Sequence, residues 1–181
     1  EGRPEYVNVT EFHTKKDVNI TPILDQIKEC KEADCDLVIL ALHWGAEFEL
    51  FPNIHQLGWA QEFVDAGIDI LIGHHPHVIQ PYEILHPKDN PYKDVPVIYS
   101  LGNLTPILGC EASVLSLIGR MKLNKTVAET TITEISFTPV IMVAEDEENI
   151  PVILQLKNAI NMNDTGIDEY IDKCAYYADV V

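Results

Sequence analysis

Three apolar runs in this chain each end in a polar cluster, and this arrangement limits the folds open to it. The runs cover residues 37–42, 68–72 and 95–99, and the clusters that follow them cover residues 43–47, 73–77 and 100–103. Apolar runs without alternation are typical of strands covered on both faces, as in parallel sheets. If these runs are neighbouring parallel strands, all three clusters lie at the carboxyl edge of one sheet, where α/β proteins place ligand sites. We therefore predict the functional site at that edge.

A helix is predicted between the first two strands. Asn53 and Gln56 form a capping-box pattern, and Gly67 suits the left-handed residue that ends a helix. Strand, helix and strand with short joints form a right-handed βαβ unit, which brings His43 beside the second polar cluster. An earlier helix is predicted over residues 22–33, with Thr21 as its N-cap.

The pattern changes beyond Asn103 to the alternation of antiparallel strands. Leu115, Leu117, Met121 and Leu123 alternate with more polar residues, and Ile135 and Phe137 recur at period two. Asn124 and Lys125 are predicted to turn the chain. A weak strand is expected over 6–12, an acidic turn over 145–149 and an amphipathic helix over 167–178. The predicted fold class is α/β, with a parallel βαβ core followed by antiparallel strands and a C-terminal helix, in a single domain spanning residues 1–181.

The charge of the chain excludes one class of partner. The formal net charge is -17, from 12 basic and 29 acidic residues, so a nucleic acid partner is excluded and cation binding is favoured. No apolar stretch approaches the roughly 20 residues that span a bilayer, and the first residues lack a signal-peptide pattern, which predicts a soluble chain but leaves an upstream anchor open. The four cysteines form no CxxC pair and are interpreted as small buried side chains.

His43, His75 and His77 are the candidate metal ligands. Neutral imidazole binds zinc, manganese and iron, and residues two apart in an extended loop direct both side chains to one side. The alternative is that these are ordinary hydrogen-bonded histidines. That alternative is the default for a single histidine, but it is weaker for three histidines at one sheet edge.

Three further polar residues are candidates for work at the same edge. His74 is a candidate general acid or a support for a metal ligand, and simple exposure is its alternative. Glu47 could orient an imidazole, activate water or hold a substrate group, unless it is a plain surface carboxylate. Asn103 could offer its amide to a substrate or hold a tight turn. Nearby aromatic residues either wall a pocket or belong to the core: Trp44, Phe48 and Phe51.

Four motifs in order along the chain resemble a known family. They are His-Trp-Gly-x-Glu from residue 43, Gly-x-His-Pro-His-Val from residue 73, Gln-Pro-x-Glu from residue 80 and Tyr-Ser-Leu-Gly-Asn from residue 99. Together they resemble the CapA family of capsule (poly-γ-glutamate) synthesis proteins, in the calcineurin-like metallophosphoesterase superfamily. The resemblance covers about residues 20–110.

The resemblance implies an αββα sandwich of two sheets flanked by helices, with two divalent ions (Mn, Zn or Fe) at the sheet edge. His43 corresponds to the isolated metal histidine of the superfamily, and His75 and His77 correspond to its terminal histidine pair. The Asp-x-His, Gly-Asp and Gly-Asn-His motifs of the superfamily are absent, and residues 11–13 (Glu-Phe-His) follow no buried strand. We therefore interpret the chain as the C-terminal portion of a larger metallophosphoesterase-like domain, with the missing N-terminal half as its partner.

The leading functional hypothesis concerns the longer protein of which this chain is expected to be a part, called the parent here. The parent is expected to be a metal-dependent, hydrolase-like protein of capsule or polyglutamate metabolism that activates water to attack a phosphoester or amide-type bond. This chain alone is expected to be inactive and to bind metal weakly. The parent is expected at the cell envelope or outside the cell, with polyglutamate or another envelope polymer and other capsule-synthesis proteins as partners. A non-catalytic module for polymer export or complex assembly is the alternative. A mononuclear zinc hydrolase with ligands His43, His75 and His77 ranks third.

Overall fold

Two sheets and three α-helices make up the described part of the chain. The computed structural model describes residues 18–105, 111–144 and 151–159. The elements are, in order, α1 (Thr21–Glu32), β1 (Ile39–His43), α2 (Ile54–Ala66), β2 (Ile70–His74), β3 (Tyr82–Leu85), β4 (Val95–Ile98), a 3-10 turn (Glu111–Val114), β5 (Leu115–Lys125), β6 (Thr130–Ala144), β7 (Pro151–Gln155) and α3 (Leu156–Ala159). Within these ranges, no helix combines the length and the apolar character needed to span a bilayer.

The first sheet contains the predicted βαβ unit. Its strand order is β1-β2-β4-β3, with β1, β2 and β4 parallel and β3 antiparallel to β4. The capping box of α2 is confirmed, because Asn53 Oδ1 accepts the Gln56 N–H and Gln56 Oε1 accepts the Asn53 N–H. Gly67 ends this helix at φ 109°, as predicted. The register pairs His43 with His74, so the carboxyl ends of β1 and β2 lie side by side.

The strands differ from the prediction in their starts and in their exposure. β1 and β2 each begin two residues later than predicted, because Val38 and Asp69 bond to each other before the ladder starts: Val38 N–H donates to Asp69 Oδ2 at 2.8 Å, and Asp69 N–H donates to Val38 O at 2.9 Å. The prediction that β1 is covered on both faces is wrong. Ile39 is 50% exposed because β1 lies at the edge of the sheet. The short strand β3 was not predicted.

The start of α1 also differs from the prediction. Its N-cap residue is Ile20 and not Thr21, and Asn19 Oδ1 accepts the Thr21 N–H at 3.1 Å. Pro22 does lie in the first turn, where its missing N–H costs no helical hydrogen bond. Of the two cysteines in the described ranges, Cys30 is half-buried and Cys35 is exposed, so the predicted burial holds only for Cys30 and only in part.

Both long helices pack on the first sheet and form one apolar core with it. The buried side chains of this core include Ile23 and Ile27 from α1, Ala60, Phe63 and Val64 from α2, and Leu42, Leu71 and Val97 from the strands. Full burial of a side chain such as Phe63 contributes about 1.5–3 kcal/mol. This core fixes the two strands whose ends carry the histidines.

The second sheet is antiparallel, in the order β5-β6-β7. The hairpin is confirmed, but its turn lies at residues 126–129, where Thr126 Oγ1 accepts the N–H groups of Ala128 and Glu129. The second sheet contacts the segment that follows β4, where the Leu117 N–H donates to Leu101 O at 2.9 Å. The mixed α/β class with two sheets is therefore confirmed. The predictions for residues 6–12, 145–149 and 167–178 lie outside the described residues.

Candidate metal centre

Close packing among Trp44, Gly73 and Tyr99 supports the strand ends that carry the histidines. Trp44 Nε1 donates to Tyr99 O at 3.1 Å, and the two rings stack with centroids 5.7 Å apart. Gly73 lies against this pair, and a Cβ on it would stand 2.0 Å from Tyr99 O. Trp44 is 1% exposed, so it belongs to the core. Only glycine fits at residue 73, directly before the histidine loop.

Hydrogen bonds hold the loop after β1 against the loop after β2. Trp44 N–H donates to His74 O at 2.9 Å, and Phe48 N–H donates to Pro76 O at 2.8 Å. The buried Gln80 adds a third bond, from its Nε2 to Glu49 O at 2.8 Å. Glu47 lies between these contacts in the sequence. Its carboxylate is therefore kept near the histidines.

Glu47, His75 and His77 form the metal-type cluster of the described residues. One donor atom from each lies within 4.8 Å of the other two. His77 Nε2 and Glu47 Oε1 are 3.9 Å apart. Two ligands that each lie about 2.1 Å from one tetrahedral ion are about 3.4 Å apart, so these donors must move inward to hold one ion together.

His43 lies beside this cluster but outside the three-residue group. Its ring centroid is 4.5 Å from that of His75, and the rings of His75 and His77 are 5.8 Å apart. His43 ends β1 and His74 ends β2 as its register partner. All four histidines therefore lie at the predicted carboxyl edge. The sequence predicted His43 as the third member of the ligand group, whereas in the structure the third member is Glu47.

Two of the histidines have lowered pKa values. Partial burial lowers the pKa of His43, and the nearby His75, His77 and His74 lower it further by charge repulsion. Partial burial also lowers the pKa of His74, although both side chains keep an exposed face. A lowered pKa keeps an imidazole neutral, which is the form that binds a metal ion.

The sequence predicted an extended backbone for the histidine loop, but the structure has left-handed backbone at two of its residues. His75 has φ 102° and His77 has φ 63°, and Phe48 in the facing loop has φ 62°. Non-glycine residues in such conformations cost about 1–3 kcal/mol each and cluster at functional sites. The Phe48 ring lies 5.8 Å from the His77 ring, so Phe48 borders the cluster. Phe51 is 63% exposed.

Two polar atoms of the site are buried without a partner. Asn103 Oδ1 lies 2.8 Å from His77 Nδ1. Asn103 Nδ2 and His75 Nδ1 have no hydrogen-bond partner among the described residues. Buried polar atoms are nearly always satisfied, so these two are places where a ligand or ion fits. The imidazole and carboxylate donors suit a divalent cation, whereas Asn103 Nδ2 carries N–H groups and suits an oxygen of a ligand.

Glu83 and Tyr99, from the quoted motifs, have a structural role that the sequence did not reveal. The Tyr99 hydroxyl donates to Glu83 Oε1 at 2.6 Å, joining β3 to the end of β4. Burial first, and then the bond to Glu83, raise the pKa of Tyr99 well above its usual range. The Gln-Pro-x-Glu motif was the signal for these contacts, but β3 had to be known to interpret it.

Fold and site together define a two-sheet α/β protein with a histidine and carboxylate cluster at the carboxyl edge of parallel strands. Residues 3–106 match the family described as "Bacterial capsule synthesis protein PGA_cap". The chain belongs to this family, and it is a CapA-like capsule synthesis protein.

Several curated proteins are similar to the chain. It is 40% identical over 80 residues to the capsule biosynthesis protein CapA of Bacillus anthracis, an alignment that covers 44% of this chain and 18% of that protein. The PGA biosynthesis protein CapA of Bacillus subtilis (strain 168) is also 40% identical over 80 residues, covering 44% of this chain and 19% of the relative. A probable polyglutamine synthesis accessory protein of Mycobacterium tuberculosis is 30% identical over 69 residues, covering 38% of this chain and 16% of the relative. The chain thus spans under a fifth of these relatives.

Proposed function

We propose that this chain acts in the synthesis of a polyglutamate-type bacterial capsule, and that it contributes a divalent metal site to a hydrolase-like parent protein. The observation that carries the proposal is the convergence of Glu47, His75 and His77 within 4.8 Å. The cluster lies inside the stretch that matches the capsule synthesis family. Nitrogen and carboxylate donors suit zinc, manganese or iron.

Each residue at the carboxyl edge has a role in this proposal. Glu47, His75 and His77 hold one ion, and His43, beside His75, is available to a second ion in the parent. When bound there, a divalent ion would supply Lewis-acid chemistry and lower the pKa of water. His74 is the candidate general acid, and the Asn103 amide is the candidate contact to an oxygen of the substrate.

Charge supports the need for a cation at this edge. Polyglutamate is an anionic polymer, and a chain of net charge -17 repels it. A bound divalent ion reverses the local sign, because it is the largest charge in such a site. The cation would therefore both admit a carboxylate-bearing substrate and activate the bond.

We also propose that residues 1–181 are the C-terminal portion of a larger metallophosphoesterase-like domain. The apolar strand β1 forms an edge of the first sheet, with Ile39 50% exposed and Ala41 also exposed. Exposed apolar edges are normally covered in native proteins. Among residues 18–105, 111–144 and 151–159 no strand pairs with the outer side of β1, and we propose that the N-terminal part of the parent covers it. Hydrogen exchange at β1 amides should be slower in the longer protein than in this chain, and equal exchange would remove this assignment.

A single-ion hydrolase is the second candidate, because three donors on this chain already converge. Three protein ligands and an open position are the requirements of a catalytic zinc site. Glu47 replaces His43 in that set. This alternative predicts tight, stoichiometric metal binding by the 181-residue chain itself.

Calorimetry and metal analysis with manganese and zinc test the proposal. The 181-residue chain should bind metal weakly or below one ion per chain, and it should show little hydrolysis of phosphodiesters, phosphomonoesters or polyglutamate. The longer parent should bind tightly, and His75→Ala should lower its affinity at least about 10-fold. His55→Gln, on α2, is the matched histidine control and should change neither affinity nor turnover. A parent that binds no metal would favour the non-catalytic module.

A further inference from the structure

We infer that Asn103 is a positioning residue that fixes the tautomer of His77 and so presents Nε2 of that ring to the ion. Presenting Nε2 to an ion is useful only if the proposed metal site exists, so this part of the inference rests on the proposed function. The hydrogen bond between Asn103 and His77 is a contact within the chain and does not depend on that proposal.

The backbone before Asn103 is held in place. Gly102 has φ 77°, its N–H donates to Ser100 Oγ at 3.3 Å, and it bridges to Ser116 in β5. A Cβ on Gly102 would lie 2.8 Å from Leu115 O, so β5 packs closely against the segment after β4. Asn103 therefore extends from a rigid junction and not from a free loop.

The hydrogen bond to His77 selects one of two neutral tautomers. Asn103 Oδ1 and His77 Nδ1 are 2.8 Å apart, so Nδ1–H donates to the amide oxygen. The Nε2 lone pair is then free, and Nε2 is the atom that lies 3.9 Å from Glu47 Oε1. In the other tautomer Nε2 carries the proton, and at 3.9 Å that proton finds no hydrogen bond with Glu47. The surroundings thus favour the tautomer that binds metal through Nε2.

The other end of the amide adds to the same arrangement. Asn103 Nδ2 is buried and has no partner among the described residues. With the oxygen used by His77, its two N–H groups stay available to an oxygen of a ligand bound beside the ion. Partners that orient a ligating histidine are typically worth 10–100-fold in metal affinity.

Nitrogen-15 NMR of the histidine rings measures the tautomer directly, at about pH 8.5 where a histidine of ordinary pKa is neutral. The metal-free protein should show His77 as the Nδ1–H form. Asn103→Leu removes the acceptor and should give a mixture of tautomers. Asn103→Asp restores an acceptor and should restore the Nδ1–H form. Asn124→Leu, on the exposed end of β5, is the matched control and should leave the His77 signals unchanged.

Zinc titrations of the same proteins complete the test. Asn103→Leu should bind zinc about 10–100-fold more weakly than the same protein without the substitution, and Asn103→Asp should recover most of that loss. His77 in the Nε2–H form in the unaltered protein would overturn the inference, as would an unchanged tautomer in Asn103→Leu. If the longer parent protein binds no zinc but the tautomers follow Asn103, the proposed function fails and the positioning role stands.

Discussion

The two ends of the parallel strands are both polar, but their polar groups are used differently. At the amino edge, Lys93 Nζ lies 2.6 Å from Asp69 Oδ1, and Lys125 Nζ lies 2.7 Å from Asp36 Oδ2. These carboxylates are paired within the chain. At the carboxyl edge, His75 Nδ1 and Asn103 Nδ2 are buried without partners in the described ranges. The carboxylates of Asp36 and Asp69 at the amino edge thus have partners within the chain, whereas two polar atoms at the carboxyl edge are available to a ligand.

Cavity size alone would point to the amino edge, away from the metal site that we propose. The amino edge has a cleft of about 950 Å³, lined by Asp36, Asp69, Lys93 and the hairpin turn. Two of its carboxylates, those of Asp36 and Asp69, are already paired with lysines, so they offer a ligand little that water does not. The carboxyl edge combines left-handed backbone at His75 and His77 with unpartnered atoms. Backbone strain together with unsatisfied polar groups is typical of functional sites, and it supports the site that we propose at this edge.

The largest effect is expected at the packing beneath the carboxyl edge. Gly73→Ala places a Cβ 2.0 Å from Tyr99 O, so the backbone must shift, and we expect a loss of about 3 kcal/mol or more in the free energy of unfolding. Gly58→Ala, on α2 with open space around it, is the control and should stabilise by about 0.5–1 kcal/mol. Urea denaturation measures both. Equal stabilities would show that residue 73 is not closely packed.

The next largest effect is expected when one acidic residue is replaced at each edge of the sheet. Asp69→Ala removes the acceptor of the Val38 N–H and of Lys93, and should cost about 1–3 kcal/mol in stability while leaving metal affinity unchanged. Glu47→Ala should do the reverse, with weaker metal binding and a stability change within about 0.5 kcal/mol. Denaturation and calorimetry on both variants decide the matter. Loss of metal binding in Asp69→Ala would break the distinction between the edges.

The pH dependence of stability reports on the carboxyl edge. His43 and His74 have lowered pKa values, so the unfolded chain binds more protons than the folded chain over part of the acid range. Stability should therefore fall as the pH drops below about 6.5 and level off below the lowered folded pKa values. Replacing both residues with asparagine should flatten this region, and His55→Asn should not. Thermal unfolding from about pH 7.5 to about pH 5 measures the slope.

The smallest effect is expected at the exposed end of the hairpin. Asp36 accepts from Lys125 and Thr130, and these bonds lower the pKa of Asp36. The pair is exposed, so Asp36→Ala should cause the smallest loss of stability among these variants. The loss should shrink further in high salt. A larger loss that salt does not change would mean that this contact has a structural importance beyond its charge.

Local signals in the sequence were sufficient for the βαβ unit and for the edge that carries the histidines. Asn53, Gln56 and Gly67 act within one helix, so their patterns can be interpreted without the fold. The exposure of Ile39 could not be predicted from an apolar run, because the place of a strand in the sheet is set by the topology. The grouping of Glu47 with His75 and His77 depends on hydrogen bonds between two loops and on left-handed backbone, which residue spacing does not encode.

Anomalous X-ray diffraction from crystals of the protein loaded with zinc or manganese tests the central claim most directly. We predict an anomalous peak bounded by Glu47, His75 and His77, which disappears in His75→Ala crystals grown under the same conditions. Any second peak should lie next to His43. A peak only among the acidic residues of the amino edge, or none at the histidine cluster in fully loaded crystals, would contradict the account.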